Sequence, residues 1–292
     1  MPSPSPYPLA LSVLAAWPLL VAWGGAAFGS FLNVVAWRLP RQESLLWPAS
    51  HCPRCGHGLA WFENLPLLSW LLLRGHCRHC RQPIAPRYFL VELLAAGLAV
   101  GMLFARPAAM GSGADPLLLL LAGWLLAGWL LPLSLIDLDS FWLPEPLCRW
   151  GVLLGLAVSA GLGFSQGFTS GCSLLLSHLL AAAGGLIALE GLSALGQKLL
   201  GRPALGLGDA RLAALIGAWL GPTGLALALF LAVSIGALVG TIGLLSGRLG
   251  RHQPVPFGPF LALGCLAVWI AGPMPWLELL GLAALTPLPP GS

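Results

Sequence analysis

Charged side chains are scarce in this sequence. Lysine, arginine, aspartate and glutamate together make up 8% of its 292 residues, against about 25% in an average soluble domain. Hydrophobic residues make up 58%, and several apolar runs reach the roughly 20 residues that a helix needs to cross a bilayer. The composition excludes an ordinary soluble domain and predicts a membrane protein.

Regular alternation of polar and apolar residues is also missing, although a transmembrane β-barrel would show it in segments of about 10 residues. Backbone amides in lipid must be bonded within the protein, so the apolar runs are predicted to be helices. The 38 glycines and 26 prolines suit close packing and kinks in such a bundle. We expect an all-α polytopic fold with about eight transmembrane helices, approximately at 9–36, 86–105, 116–136, 146–163, 173–196, 207–221, 223–246 and 257–274.

The first apolar run lacks the basic residues that precede a cleaved signal peptide, and it is too long for one. We expect it to remain as the first transmembrane helix, within residues 1–37. A polar insert follows at 38–85, then a transmembrane helix bundle at 86–286 and a flexible tail at 287–292.

Basic residues are distributed unevenly over this predicted topology. Of the 14 lysines and arginines, only Arg106 falls on the opposite side from the rest. The positive-inside rule makes the basic side cytoplasmic, so the insert is cytoplasmic and both termini are periplasmic. The basic side serves topology and contact with anionic lipids, or alternatively forms a substrate-binding patch.

Two C-x-x-C pairs lie in the insert. They are Cys52-Pro-Arg-Cys55 and Cys77-Arg-His-Cys80. Together they predict a tetrahedral four-sulfur site, for which zinc is the default metal. Empty cysteines or disulfides are the alternative, but the cytoplasm is reducing. A closed four-sulfur site has a structural role, and metal binding supplies folding free energy that so small an insert lacks.

Other residues that can bind metals have simpler interpretations. The histidines of the insert are alternative ligands or solvated loop residues: His51, His57, His76 and His79. The remaining cysteines, Cys148, Cys172 and Cys265, are expected to be small apolar residues in or near the spans.

Two aspartates stand where a membrane protein rarely places an acid. Asp137 closes an apolar run within I-D-L-D, and Asp209 ends G-L-G-D immediately before another run. Because ionisable groups are costly there, both are candidates for a function. Both fall at the cytoplasmic boundary of the predicted topology. Gly206 and Gly208 would let the second turn approach another part of the chain closely.

Two carboxyl groups within a few ångström cannot both ionise easily, so such a pair shares a proton. One group then acts as base on a water and the other as acid towards a carbonyl. The pair therefore indicates aspartic-protease chemistry at a membrane surface. A helix cap is the alternative for Asp209, and Asp139 and Glu145 are expected to be caps or boundary residues.

The motifs of this chain, taken in order, resemble those of the bacterial type IV prepilin peptidases over nearly its whole length. The matching motifs are G-S-F-L-N-V-V and R-L-P (29–40), C-P-R-C-G-H, E-N-L-P (63–66), C-R-H-C, R-Y-F-L-V-E (87–92), S-L-I-D (134–137), G-L-G-D (206–209) and P-F-G-P (256–259). By this resemblance Asp137 and Asp209 hold the positions of the two catalytic aspartates.

The resemblance implies a membrane aspartyl endopeptidase of the bacterial inner membrane. Members remove the leader of prepilins or pseudopilins after a glycine on the cytoplasmic side. Many then methylate the new N-terminus with S-adenosylmethionine, and the form with the zinc loop is similar to those bifunctional members. Gly75 aligns with a glycine linked to methyl transfer, or is a turn glycine. The expected partners are these substrates and the bilayer, without nucleic acid.

Some positions depart from the family pattern. Glu145 stands where the family usually has Asp, Arg211 where it often has Lys, and 201–204 lacks the usual G-K-E-G. These changes keep both aspartates and bear on substrate preference.

Three rival functions are less consistent with the sequence. A proton-coupled transporter would place its acids at the bilayer midplane within repeated halves. A non-catalytic assembly scaffold held together by zinc would not need two aspartates at the same depth in the membrane. Another intramembrane aspartyl protease would not carry the four-cysteine loop.

Overall fold

The computed structural model describes residues 7–105, 115–201, 205–250 and 253–282. Within these ranges the chain forms helices and no strand, which confirms the all-α class for this part of the protein. The α-helices are α1 (Tyr7–Arg38), α2 (Leu68–Leu72), α3 (Pro86–Gly101), α4 (Pro116–Ser140), α5 (Glu145–Phe164), α6 (Phe168–Leu200), α7 (Leu207–Leu245), α8 (Gly258–Ala271) and α9 (Met274–Leu279).

Six helices in the described ranges are long and apolar enough to cross a membrane, so the protein is a multi-pass membrane protein. They are α1 and α3 to α7, whereas α8 is apolar but has only 14 residues. The predicted sixth and seventh spans lie within α7, and the count of eight stays a prediction. Arg106 and the predicted tail lie outside the described residues.

The chain separates into two compact units, Met1–Phe104 and Ala105–Ser292. The first unit contains α1, the cysteine-bearing insert and α3. The predicted four-part division, with boundaries at 37/38 and 85/86, stays a prediction.

In the first unit, α1 packs against α3 with almost no space between the backbones. A Cβ atom built on Gly25 would lie 2.5 Å from the Cβ of Ala99 and 2.8 Å from the carbonyl oxygen of Ala95. One turn later, a Cβ on Gly29 would lie 2.6 Å from the Cβ of Ala95. Small residues at helix contacts are the usual solution in membranes, because lipid gives no hydrophobic force between helices.

In the second unit, α7 packs against α5, α6 and α8, and α8 also packs against α4. Residues 212–221 of α7 are all buried. A Cβ on Gly217 would lie 2.6 Å from the carbonyl carbon of Ala181 in α6. On the α5 side, the indole N–H of Trp219 donates to the carbonyl of Gly151 over 3.0 Å. The first half of α7 thus packs so closely against α5 and α6 that it contacts their backbone atoms directly.

Helix α7 reverses its direction at Gly221, whose φ of 68° and ψ of −172° are not helical and which precedes Pro222. The first half begins near the N-terminus of α8, because Asp209 and the first amide of α8 both interact with Asp137. The second half then runs back along α8 in the opposite direction. Trp219, just before the reversal, packs against Trp269, and the second half then contacts Gly264 through Ala228 and Phe260 through Gly236.

The close contact between α1 and α3 predicts opposite effects for two neighbouring glycines. Gly25→Ala should lower the stability of the protein by about 1–3 kcal/mol, because its methyl group would push α3 away. Gly24→Ala is the matched control. No atom lies within 4 Å of its Cβ position, and it gains up to about 1 kcal/mol of helix propensity. Thermal unfolding in detergent measures both, and equal midpoints would contradict the packing described.

Candidate active site and metal site

Asp137 lies near the end of α4 and is 5% exposed. Its Oδ2 atom accepts a hydrogen bond of 2.9 Å from the backbone N–H of Gly258, the first residue of α8. The first amides of a helix have no partner within the helix, and its N-terminus favours an anion. The Asp137 carboxyl group therefore caps a helix that lies far away in the sequence.

Asp209 lies in the first turn of α7 and is 9% exposed. Its Oδ2 atom accepts a hydrogen bond of 3.1 Å from the backbone N–H of Gly206. The alternative that Asp209 caps a helix beginning at residue 210 is therefore wrong in its position, because α7 begins at Leu207 and Asp209 is its third residue, bonding back to the N–H of the cap residue Gly206. This hydrogen bond uses only the Oδ2 atom of Asp209 and does not exclude a chemical role for its carboxyl group.

The structure brings the two predicted acids together. The carboxyl groups of Asp137 and Asp209 are close enough to interact electrostatically, although they come from different helices. Asp139 is exposed two residues beyond Asp137, at the end of α4. The pair is therefore Asp137 with Asp209, at a point where two helix N-termini converge.

The connection between α4 and α5 is fixed onto the start of α7. A Cβ on Gly208 would lie 2.9 Å from the Cβ of Leu143, so a larger residue would separate the two segments. Slightly further along the two segments, Arg211 and Glu145 form an ion pair of 3.5 Å. A Cβ on Gly206 would meet only ordinary contacts. The close approach that the sequence predicted for both glycines is thus found at Gly208.

Two features of this site were not anticipated from the sequence. The departures from the family pattern at Glu145 and Arg211 are partners in one ion pair. Gly258, inside the recognised motif P-F-G-P, holds the Asp137 carboxyl group. A Cβ on Gly258 would lie 2.7 Å from Oδ2 of Asp137, so this contact requires glycine. The only sequence signal was the motif itself, which did not reveal the partner.

The four cysteines of the insert form a group that can hold a metal ion. Their Sγ atoms all lie within 4.8 Å of one another, and Cys52 and Cys77 are buried. The two C-x-x-C segments have the same local fold. The N–H of the first cysteine bonds to the carbonyl five residues on, in the pairs Cys52–His57 and Cys77–Gln82. The residue after each second cysteine is left-handed, Gly56 at φ 71° and Arg81 at φ 57°.

The local backbone favours a thiolate at Cys52. The N–H of Cys55 bonds to the Cys52 sulfur and, as the largest cause, lowers the pKa of Cys52 to about 6. Thiolates, not thiols, bind metals. The turn thus prepares one ligand for binding.

The histidines of the insert have other partners. Nδ1 of His51 lies 3.1 Å from the carbonyl of Ala49, and Nδ1 of His76 lies 2.7 Å from that of Arg74. The rings of His57 and His79 stack on each other at 4.7 Å between centroids. Among the described residues, the group that can hold a metal contains only the four cysteines.

Gly75 occupies a turn that only glycine fits easily. Its φ is 69°, and a Cβ would lie 2.9 Å from the ring of Trp70. Its N–H donates to the carbonyl of Trp70 at 2.8 Å, and its own carbonyl accepts from Ile84 at 2.7 Å. The turn alone therefore explains a glycine here.

These features define a multi-pass helical membrane protein with a buried acid pair and a four-cysteine cluster. Residues 24–106 match the Bacterial Peptidase A24 N-terminal domain, and residues 124–241 match the Type IV leader peptidase family. No solved structure matches the chain.

Curated relatives agree with these matches over most of the chain. A prepilin leader peptidase/N-methyltransferase of Burkholderia pseudomallei (strain 1026b) is 37% identical, covering 88% of this chain and 86% of the relative. A prepilin leader peptidase/N-methyltransferase of Aeromonas hydrophila is 39% identical, covering 83% of this chain and 86% of the relative. The "Type 4 prepilin-like proteins leader peptide-processing enzyme" of Escherichia coli O78:H11 is 35% identical, covering 87% of this chain and 93% of the relative. The chain belongs to the type IV leader peptidase family and is an enzyme of the peptidase/N-methyltransferase class.

The bond between Gly258 and Asp137 predicts a specific loss of peptidase activity. In Gly258→Ala the new methyl group displaces the Asp137 carboxyl group, and a misplacement of about 1 Å costs up to roughly 10²-fold in rate. Gly250→Ala is the matched control, because no atom lies within 4 Å of its Cβ position. Peptidase rates of purified protein measure the effect. A Gly258→Ala variant as active as the control would show that the position of this carboxyl group is not critical.

Proposed function

We propose that this protein is a membrane aspartyl endopeptidase that removes the leader peptide of type IV prepilins or pseudopilins. Cleavage follows a glycine on the cytoplasmic side of the bacterial inner membrane. The observation that carries the proposal is the pairing of Asp137 with Asp209, two acids from separate helices that interact while each caps a helix. The names of the relatives supply the substrate class.

The pair supplies both an acid and a base. A proton shared between Asp137 and Asp209 leaves one group as carboxylate and the other as acid. The carboxylate takes a proton from a water molecule, whose oxygen attacks the scissile carbonyl, while the acid protonates that carbonyl oxygen. Collapse of the tetrahedral intermediate transfers a proton to the leaving nitrogen. The products are a leader carboxylate and a new N-terminal amine.

The substrate requirements follow from the surroundings of the pair. A glycine at the junction lets the extended backbone approach two largely buried carboxyl groups without a side-chain clash. The enzyme's cytoplasmic side is predicted to be basic, so it does not attract a basic leader by long-range charge. The apolar helix that follows the junction therefore contributes more to recognition than the charge of the leader.

The two acids are tested by co-expression with a precursor that has a junction glycine, followed by the mass of the product N-terminus. Asp137→Asn and Asp209→Asn should each lower cleavage by at least about 10²-fold, because each removes one partner of the acid–base pair. Asp139→Asn is the control and should retain most activity. A bulky residue in place of the junction glycine should also block cleavage. An inactive Asp139→Asn together with an active Asp137→Asn would refute the assignment.

We also propose that the new N-terminus is methylated by the same chain. S-adenosylmethionine, when bound, supplies the methyl group, and the amine produced by cleavage accepts it. Gly75 is buried beneath Trp70 and therefore contributes through the shape of its turn rather than by touching the methyl donor.

Zinc is the proposed metal of the four cysteines. A tetrahedral zinc site with Zn–S distances of about 2.3 Å has sulfur atoms about 3.8 Å apart. The Sγ atoms of Cys52 and Cys80 are 3.8 Å apart, so the cluster fits the ion. With all four positions taken by protein, zinc would hold the insert together and would not take part in the chemistry.

Metal analysis tests the zinc site. The purified protein should contain about one zinc per chain, and Cys77→Ser should lose it. Cys172→Ser is the matched control, because this free cysteine lies outside the cluster. Loss of zinc should weaken methylation more than membrane insertion, since the spans form through their own backbone bonds. An active preparation without zinc would rule out the proposed metal.

We propose eight crossings, with both termini in the periplasm. At about 1.5 Å per residue, the 39 residues of α7 would extend nearly twice the roughly 30 Å of the hydrocarbon core. The reversal at Gly221 supports two crossings by this element. Single cysteines at Gly247 and Gly201 should then react with an impermeant thiol reagent from the cytoplasmic side only. Labelling from opposite sides would refute two crossings.

A further inference from the structure

The reversal of α7 at Gly221, which Pro222 follows, leaves the carbonyl of Ala218 without a partner in the helix. In a continuous helix the carbonyl of Ala218 would accept from the backbone N–H of residue 222, and proline has none. A proline ring also clashes with the carbonyl four residues earlier. The Ala218 carbonyl lies in a fully buried part of the bundle, where an unsatisfied polar group is costly.

Two side chains from neighbouring helices replace the missing donor. The hydroxyl of Ser159 in α5 donates to the Ala218 carbonyl oxygen at 3.1 Å. Nδ1 of His178 in α6 lies 3.0 Å from the same oxygen and 2.9 Å from Oγ of Ser159. The arrangement is consistent when the proton resides on Nδ1, because the hydroxyl hydrogen is already used towards the carbonyl. Ser159 and His178 are 0% and 2% exposed.

The histidine ring also occupies the space beside the reversal. A Cβ on Gly221 would lie 2.9 Å from Nε2 of His178. The positive φ of Gly221 and the missing side chain thus allow the chain to turn directly against the ring. Three helices meet at this one carbonyl.

We propose that Ser159 and His178 are positioning residues for catalysis: they hold the broken end of the half-helix whose first turn carries Asp209. This half-helix is fixed at its other end by the contact of Gly208 with Leu143. Release of the Ala218 carbonyl would let the half-helix shift or rotate and would move Asp209 relative to Asp137. The inference rests on the proposed peptidase function, and neither residue touches the substrate.

Cleavage kinetics with the same precursor test the proposal. His178→Leu and Ser159→Ala should each lower kcat by about tenfold, since a buried carbonyl loses one donor, while KM stays within twofold. His178→Asn should recover most of the rate, because its amide can replace Nδ1–H. Ser177→Ala is the matched control on the same helix, since its hydroxyl bonds only to Leu174 of α6. Wild-type rates from His178→Leu and Ser159→Ala would overturn the proposal.

If His178→Leu fails to fold, the kinetic comparison is made with Ser159→Ala and the Ser177→Ala control.

Hydrogen exchange gives a readout that does not need activity. Amides of 207–221 should exchange faster in His178→Leu than in the wild type and Ser177→Ala. Unchanged exchange would overturn the proposal. A wild-type enzyme that cleaves no precursor would instead overturn the proposed function, whatever the exchange result.

Discussion

The first amides of a buried helix need acceptors, and this need joins the two aspartates to the fold. Asp137 accepts from the first residue of α8, and Asp209 accepts from Gly206 at the start of α7. Each carboxyl group is therefore held through one oxygen by a backbone N–H, which is buried at Gly258 and exposed at Gly206. The groups proposed to do the chemistry are also the groups that complete the two helices.

Close backbone contact makes this arrangement rigid. Glycines lie where α7 meets its neighbours, with Gly217 against α6 and Gly264 of α8 against the carbonyl of Ala228. Cores packed at this density transmit small displacements instead of absorbing them. This close packing along the first half of α7 is the basis for the proposal that the reversal at Gly221 helps to position Asp209.

The insert of the first unit is organised differently. Its polar backbone is tied by side chains and by the cysteine cluster, because none of its large apolar side chains is buried. Arg38, the last residue of α1, donates to the carbonyls of Ser44 at 2.9 Å and Pro48 at 2.7 Å, which ties the following loop to the helix end. A metal ion can cross-link such a segment where a hydrophobic core cannot form.

Composition and local pattern were sufficient for the helical membrane class and the cysteine cluster, because both depend on residues close together in the sequence. The position of Asp137 and Asp209 at the ends of apolar runs, together with the family resemblance, made them the candidate acids, and their catalytic role stays a prediction. Apolar runs predict helices wherever lipid offers no hydrogen bonds, and two C-x-x-C pairs present their sulfurs together.

Only the tertiary structure decided which groups meet. The bond from Gly258 to Asp137 spans 121 residues, and that from Ser159 to Ala218 spans 59. The ion pair of Glu145 with Arg211 likewise depends on how α5 packs against α7. Contacts of this kind follow from the packing of whole helices, and no local pattern contains that information.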